Sequence, residues 1–156
     1  MTVLGIMTSN LRMEEAMIDF KTKLGRKALR HLKQEYFVWL TTVDSKGTPQ
    51  PRPVWFVLEG DSLIIYSQPS AFKLKHIVNN PNVSLHFNTP DPKGEDDVIV
   101  FNGVAKIDTK AEPANKNSIF MRKYRSGIKG IGSTPQQFTQ AYTTAVRIKL
   151  TSLRGW

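Results

Sequence analysis

The sequence predicts a mainly β chain: a small antiparallel β-barrel of six or more strands with helices packed outside it. Two observations carry that expectation. Several segments alternate apolar and polar residues with period two, or are dense in β-branched and aromatic side chains. The links between most of them are short turns, too short for the crossover of about a dozen residues that a parallel pair needs. Antiparallel strands in that number in one small chain close into a barrel or sandwich. With 156 residues, residues 1–156 read as one domain.

The elements follow in order. Met13, Ala16, Met17, Phe20, Leu24, Ala28 and Leu32 recur at steps of three and four. That spacing predicts an N-terminal amphipathic helix over about residues 12–34, with Asn10 as cap, Glu14 and Glu15 in its first turn, and an interruption at Gly25. From Tyr36 the period changes, and Tyr36 to Val43 reads as a strand that turns at Asp44-Ser45-Lys46-Gly47. A second strand from Arg52 to Leu58 and a third from Leu63 to Ser67, joined through Glu59-Gly60-Asp61, complete an antiparallel meander. Pro69 to Val78 reads as a short helix with Ser70 as its cap. Strands from Val83 to Phe87 and from Asp97 to Ile107 flank a polar loop at Pro90 to Asp96. Residues 112–126 read as a helix, Pro135 opens another short one, and Thr143 to Leu150 is a sixth strand.

Composition excludes several classes of function. The chain has no cysteine, which removes disulfide scaffolds, thiolate-ligated zinc, iron–sulfur clusters and thiol catalysis. Its longest apolar runs are about five residues, against about 20 for a membrane-spanning helix. Val3 to Met7 is too short for a signal-peptide core, so a cytoplasmic location is expected. His31, His76 and His86 fall on three different elements and read as surface or interface residues. Asp96 and Asp97 are neighbours that a strand points to opposite faces. No constellation for hydrolysis or a metal centre emerges.

The formal net charge is +9, and its distribution is uneven. Residues 1–35 carry +3, residues 36–105 carry −2 and residues 106–156 carry +8. Such an excess attracts nucleic acid, an anionic surface or an anionic small molecule, or simply solvates the protein. Gly127 to Gly130 has the G-x-x-G spacing of a nucleic-acid clamp and lies among Lys123, Arg125 and Lys129. No strand leads into it and no Lys-Ser/Thr pair follows, so a flexible link between helices is the better reading.

The segment from Arg52 to Lys75 is the more informative one. Arg52-Pro53-Val54-Trp55-Phe56-Val57 puts a cation and two large aromatics on one strand, with Trp55 and Phe56 on opposite faces. Tyr66-Ser67-Gln68-Pro69-Ser70 then leads into a helix whose first turns contain Lys73 and Lys75. A strand end, hydroxyls, free helix N–H groups and lysines make a site for phosphate or a similar anion. An aromatic strand beside it suits the flat ring of a nucleotide-like cofactor.

The run Leu40-Thr41-Thr42-Val43-Asp44-Ser45-Lys46-Gly47-Thr48-Pro49-Gln50-Pro51-Arg52-Pro53-Val54-Trp55-Phe56 resembles the opening of the pyridoxamine 5′-phosphate oxidase-like superfamily. Tyr66 to Ile77, Asn80 to Leu85, Asn102 to Ala105 and the ending Arg154-Gly155-Trp156 are similar to later stretches of it. The P-V-W-F and Y-S-Q-P wording is most similar to the branch of coenzyme F-420 (deazaflavin) enzymes. The resemblance implies an FMN-binding split β-barrel, a homodimer with the cofactor at the subunit interface, and an oxidoreductase acting on a small organic substrate. It implies that Arg52 contacts the cofactor phosphate and that Val54, Trp55 and Phe56 line the ring system through backbone groups. Ser67, beside Gln68, replaces a threonine hydroxyl near the phosphate, Lys73 matches the phosphate lysine, and Lys75 is a further anion contact. Where the oxidase has a Ser-Arg pair before that lysine, this chain has Ala71-Phe72, which removes a hydroxyl and a cation. The oxidase's vitamin-binding residues have no counterpart, which argues against true pyridoxamine phosphate oxidase activity. FMN and coenzyme F-420 both stay open as cofactors. So do a flavin or haem carrier without turnover and, with less support, a basic nucleic-acid binder.

Overall fold

The computed structural model describes residues 17–88 and 97–156. Seven strands form a single antiparallel sheet: β1 (Val38–Val43), β2 (Pro49–Val54), β3 (Val57–Glu59), β4 (Ser62–Ser67), β5 (Asn82–His86), β6 (Ile99–Ile107) and β7 (Thr144–Gly155). Their order across the sheet is β2-β1-β5-β6-β7-β4-β3. The chain is thus mainly β, as its alternation predicts.

The meander is corrected. The predicted second strand, Arg52 to Leu58, is two strands at opposite edges of the sheet, β2 at one and β3 at the other. Only Trp55 and Phe56 separate them. Three residue steps reach at most about 11 Å, so the two edges must approach one another there. That is possible only if the sheet curls on itself into a half-barrel. In the sequence, Val54 to Leu58 is one unbroken apolar run that spans the junction and hides it.

The curl encloses the core. Leu40, Phe56, Leu63, Ile65, Leu85, Phe101, Val146 and Ile148 fill its concave side, and two helices, α1 (Lys23–Gln34) and α2 (Phe72–Asn79), add Ala28, Leu32, Leu74 and Ile77. On the convex side Val57, Ile64, Tyr66 and Ala145 pack against α3 (Ser118–Gly130) and α4 (Pro135–Ala141). β4 lies between the two clusters, with Leu63 and Ile65 in one and Ile64 and Tyr66 in the other. Every residue of it is therefore buried, which is why Leu-Ile-Ile-Tyr is unbroken by a charge.

Local chemistry sets most boundaries. Asp44 Oδ1 accepts the N–H groups of Lys46 and Thr48 at 2.9 Å each and closes the β1–β2 hairpin. α1 starts at Lys23, where Thr22 Oγ1 accepts the Gly25 N–H at 2.9 Å. The expected cap Asn10 and first-turn Glu14 and Glu15 lie outside the described residues, and residues 17–22 are not helical. Gly25 does not interrupt the helix. A Cβ there would sit 2.2 Å from the Asp19 carbonyl oxygen, so glycine lets the incoming backbone lie against the first turn.

Ser70 does not cap α2, whose cap position is Ala71 without a side-chain hydrogen bond. Residues 112–126 resolve into a 3₁₀ turn (Ala114–Lys116) and α3, capped by Asn117 Oδ1 on the Phe120 N–H. Thr134 and Gln137 form a capping box on α4. β7 extends to Gly155, so the Arg154-Gly155 ending pairs with Val100 and Ile99 of β6. Gly127 to Gly130 is the last turn of α3, not a linker or a clamp loop. A Cβ on Gly127 would fall 1.8 Å from Tyr36 Oη and 3.2 Å from Trp55 Cη2, so this glycine lets α3 approach the junction between β2 and β3.

Candidate functional site

The phosphate-type residues come from two elements. Arg52 lies on the edge strand β2, opposite Leu40 of β1. Its Nε is buried and is a side-chain polar atom without a hydrogen-bond partner. A buried donor left unmade costs about 1–3 kcal/mol, and more when charged. Lys73, in the first turn of α2, is partly buried, and burial together with the Arg52 charge holds its ammonium below the ordinary lysine range. Two cations thus lie close enough to repel, beside a helix N-terminus that no side chain caps. Such an arrangement suits an anion.

The other expected residues divide. Lys75 is exposed on α2, with Nζ 5.9 Å from the centre of the Phe72 ring; no contact brings it to Arg52. Ser67 is fully buried, and its hydroxyl donates to the Gln68 carbonyl at 3.0 Å. Gln68 is exposed. Val54 enters the core, and Trp55 and Phe56 form the junction between the sheet edges.

That junction is held more firmly than its sequence signals. Phe56 is fully buried, and its N–H donates to Tyr124 Oη at 2.8 Å. The same oxygen lies 2.8 Å from the Phe56 and Tyr36 carbonyls. Lys123 Nζ donates to the Phe56 carbonyl at 3.1 Å and sits 3.7 Å from the centre of the Phe56 ring. With the Phe56 carbonyl served by an ammonium, the single hydroxyl proton of Tyr124 is best spent on Tyr36. Burial raises the Tyr124 phenol above its ordinary range, so this donor does not ionise near neutrality. The expectation that the Phe56 N–H meets a ring edge is therefore corrected, since Tyr124 takes it. Trp55 is corrected too. Its indole stacks on Tyr124 at 4.7 Å and Phe138 at 5.6 Å, so its ring serves the helices and is not a platform beside Arg52. Backbone groups of Val54 and Trp55 are what this stretch can offer a ligand.

Neither Tyr124 nor Lys123 was legible as a site residue. Their helical spacing signals only that Phe120, Met121, Tyr124 and Ile128 share a buried face.

The histidines are engaged as well. His31, read from the sequence as a surface or interface residue, is 8% exposed. Its Nδ1 and Nε2 each lie 3.1 Å from a carboxylate, Glu35 and Asp97. Lys27 and Arg30 also bind Asp97, whose carboxyl is held down at about 2, chiefly by the Lys27 hydrogen bond. Because the two acids occupy opposite nitrogens of one ring, they cannot converge on one ion. Among the described residues no group of three His, Asp or Glu could hold a metal. His76 Nδ1 lies 2.8 Å from Thr42 Oγ1, and His86 stacks on Trp39. Among the described residues no helix is long and apolar enough to cross a membrane.

The family model for pyridoxamine 5′-phosphate oxidase matches residues 24–156. The chain belongs to that family. Solved structures share the architecture expected of it. An F420 reductase aligns with TM-score 0.61 and 20% identity, over 80% of this chain and 94% of the other. HutZ, a haem storage protein of Vibrio cholerae, aligns with TM-score 0.58 and 15% identity over 86% and 95%. The conserved hypothetical protein Rv2991 of Mycobacterium tuberculosis aligns with TM-score 0.68 and 19% identity over 84% and 82%. At such identities the likeness shows the split-barrel fold alone. No curated protein matches the chain in sequence. Within the family, then, membership leaves open whether a chain is a reductase or a carrier, and the chemistry of its own residues must carry the choice.

Proposed function

We propose that this chain binds FMN or the deazaflavin coenzyme F-420 by its phosphate and works as an oxidoreductase on a small organic substrate. The observation that carries the reading is the buried, unpartnered Arg52 Nε beside a partly buried Lys73 that feels its charge. Both groups gain from a phosphate. It gives Arg52 its missing acceptor and offsets the repulsion that depresses Lys73.

When bound, the flavin or deazaflavin ring supplies the hydride chemistry. The chain's residues bind and orient. Arg52, Lys73 and the uncapped start of α2 take the anionic tail. Val54 and Trp55 present backbone groups from a junction that Tyr124 and Lys123 keep from moving, so donors there are pre-organised. Ala71 and Phe72 leave the cradle with fewer phosphate ligands than the oxidase pattern has. The reading includes a homodimer, because the cradle is built on an edge strand and on a helix that exposes Phe72 (68%) and Val78 (70%).

The test is the absorbance spectrum and mass of whatever co-purifies, followed by titration of the protein with FMN and with coenzyme F-420. Binding of either, weakened by Lys73→Met, supports the reading; binding of neither overturns it. A haem spectrum in place of both would make the protein a carrier. If holoprotein reduced anaerobically passes hydride to no enone or quinone, the binding stands and the oxidoreductase does not.

A further inference from the structure

A cleft of about 300 Å³ opens between α1, β3 and α3, and shares no lining residue with the Arg52–Lys73 cradle. Its apolar wall is Leu32, Val57, Leu58 and Ile119. Its charged lining is Lys33, Arg122 and Lys123, without an acid. Leu32 and Val57 belong to the two cores, whereas Ile119 is 45% exposed. The volume is at the lower end of the range for ligand sites, which begins at about 300 Å³.

Lys123 is the unusual member. Its stem crosses apolar surface, and burial pushes its ammonium down to about 8, with Glu35 pulling the other way. One of its three donors goes to the Phe56 carbonyl. Glu35 contacts His31, and among the described residues neither Lys33 nor Arg122 is in an ion pair. A partly dehydrated cation beside an apolar wall is matched by an anion that carries its own apolar body.

We infer that this cleft is a binding site for a small amphipathic carboxylate, its apolar body on Leu32, Val57, Leu58 and Ile119 and its carboxylate against Lys123 and Arg122. The site does not depend on which cofactor the chain binds. It does touch the ring-lining junction, because the ammonium it uses also holds the Phe56 carbonyl. Binding favours the charged lysine, so affinity falls as pH rises through the free Lys123 value, and the complex takes up protons near that pH. Lys33 and Glu35 of α1 and Arg122 of α3 are the neighbouring charges.

The probe is octanoate, titrated calorimetrically into the full chain, with octylamine as the matched cation. Saturable one-to-one binding of octanoate and none of octylamine is expected at pH 7. Between pH 7 and pH 9.5 the protonated fraction of Lys123 falls about 30-fold, and affinity should fall by up to that factor. At pH 8 the enthalpy should vary between buffers of different ionisation heat, reporting proton uptake. Lys123→Met should weaken binding at least tenfold. Tyr124 Oη also lies within reach of the Phe56 carbonyl, so that variant has a structural reason to fold, and the pH series on unmutated protein is independent of it. Equal binding of octylamine, no saturable binding, affinity unchanged at pH 9.5, or loss in Lys73→Met but not in Lys123→Met would each overturn the site.

Discussion

Tyr124→Phe is the sharpest test of how the junction between the sheet edges is held. The substitution removes one oxygen and leaves the ring, which keeps its stacking on Trp55 at 4.7 Å and its tilted contact with Phe120 at 4.8 Å. Three groups lose a partner within 2.8 Å, but not equally. The Phe56 carbonyl still has Lys123, and Tyr36, 36% exposed, can turn to water. The Phe56 N–H is buried and has no second acceptor among the described residues, so it becomes an orphan. An unmade buried donor costs about 1–3 kcal/mol. In a chain of this size each kcal/mol is worth about 2–4 °C, so a fall of roughly 2–12 °C is expected. Urea titration and thermal melts of both proteins measure it. The loss should be the same from pH 6 to 9, because the folded phenol is raised above its ordinary range and the unfolded one ionises only nearer 10. A loss below about 0.5 kcal/mol would refute the reasoning, since surface substitutions lie within that limit. So would a stability difference that titrates between those pH values.

Further expectations follow from the same geometry. Lys73→Met should weaken cofactor binding by about 1.5–3 kcal/mol, the range for a hydrogen bond to a charged group, while Lys75→Met, on the exposed face, should change it little; equal effects would sink the assignment. Asp97→Asn should destabilise by about 1–2 kcal/mol at neutral pH, allowing for the exposure of Arg30. The Asp97 carboxyl is lower folded than unfolded, so its contribution is full above the unfolded value of about 3.9 and is lost as pH falls toward 2. Acid unfolding of the variant should therefore converge with that of the parent only as pH nears 2, and a constant gap would contradict the ion cluster. Gly25→Ala should destabilise by about 1–3 kcal/mol despite the better helix propensity of alanine, because its Cβ meets the backbone of Asp19 and Phe20, which cannot swing aside; a gain in melting temperature would rule this out.

Arg52 and Lys73, the candidate anion contacts, were readable in the sequence as a cation on a strand and a lysine in a helical first turn, and the reason is locality. Arg52 is set on a strand by its neighbours, and Lys73 in a helical first turn by residues within four positions. Their types mark an anion site wherever they meet. Ser67 and Lys75 show the limit. Both carry the right chemistry, but a turn of one helix and the depth of one strand end put Ser67 in the core and Lys75 on the surface.

By itself the sequence determined a mainly antiparallel chain, its helices, the cations and the family resemblance. These rest on periods of two and 3.6 residues and on short runs of neighbouring residues. Only the tertiary structure decided that Val54 and Val57 belong to opposite edges of one curled sheet, because the apolar run continues unbroken across Trp55 and Phe56 whether or not the strand does. It also decided that Tyr124, 68 residues downstream, takes the Phe56 N–H and that Lys123 takes its carbonyl. Strand pairing and buried hydrogen bonds join residues far apart in the chain, and a periodicity that spans a few residues holds no record of them.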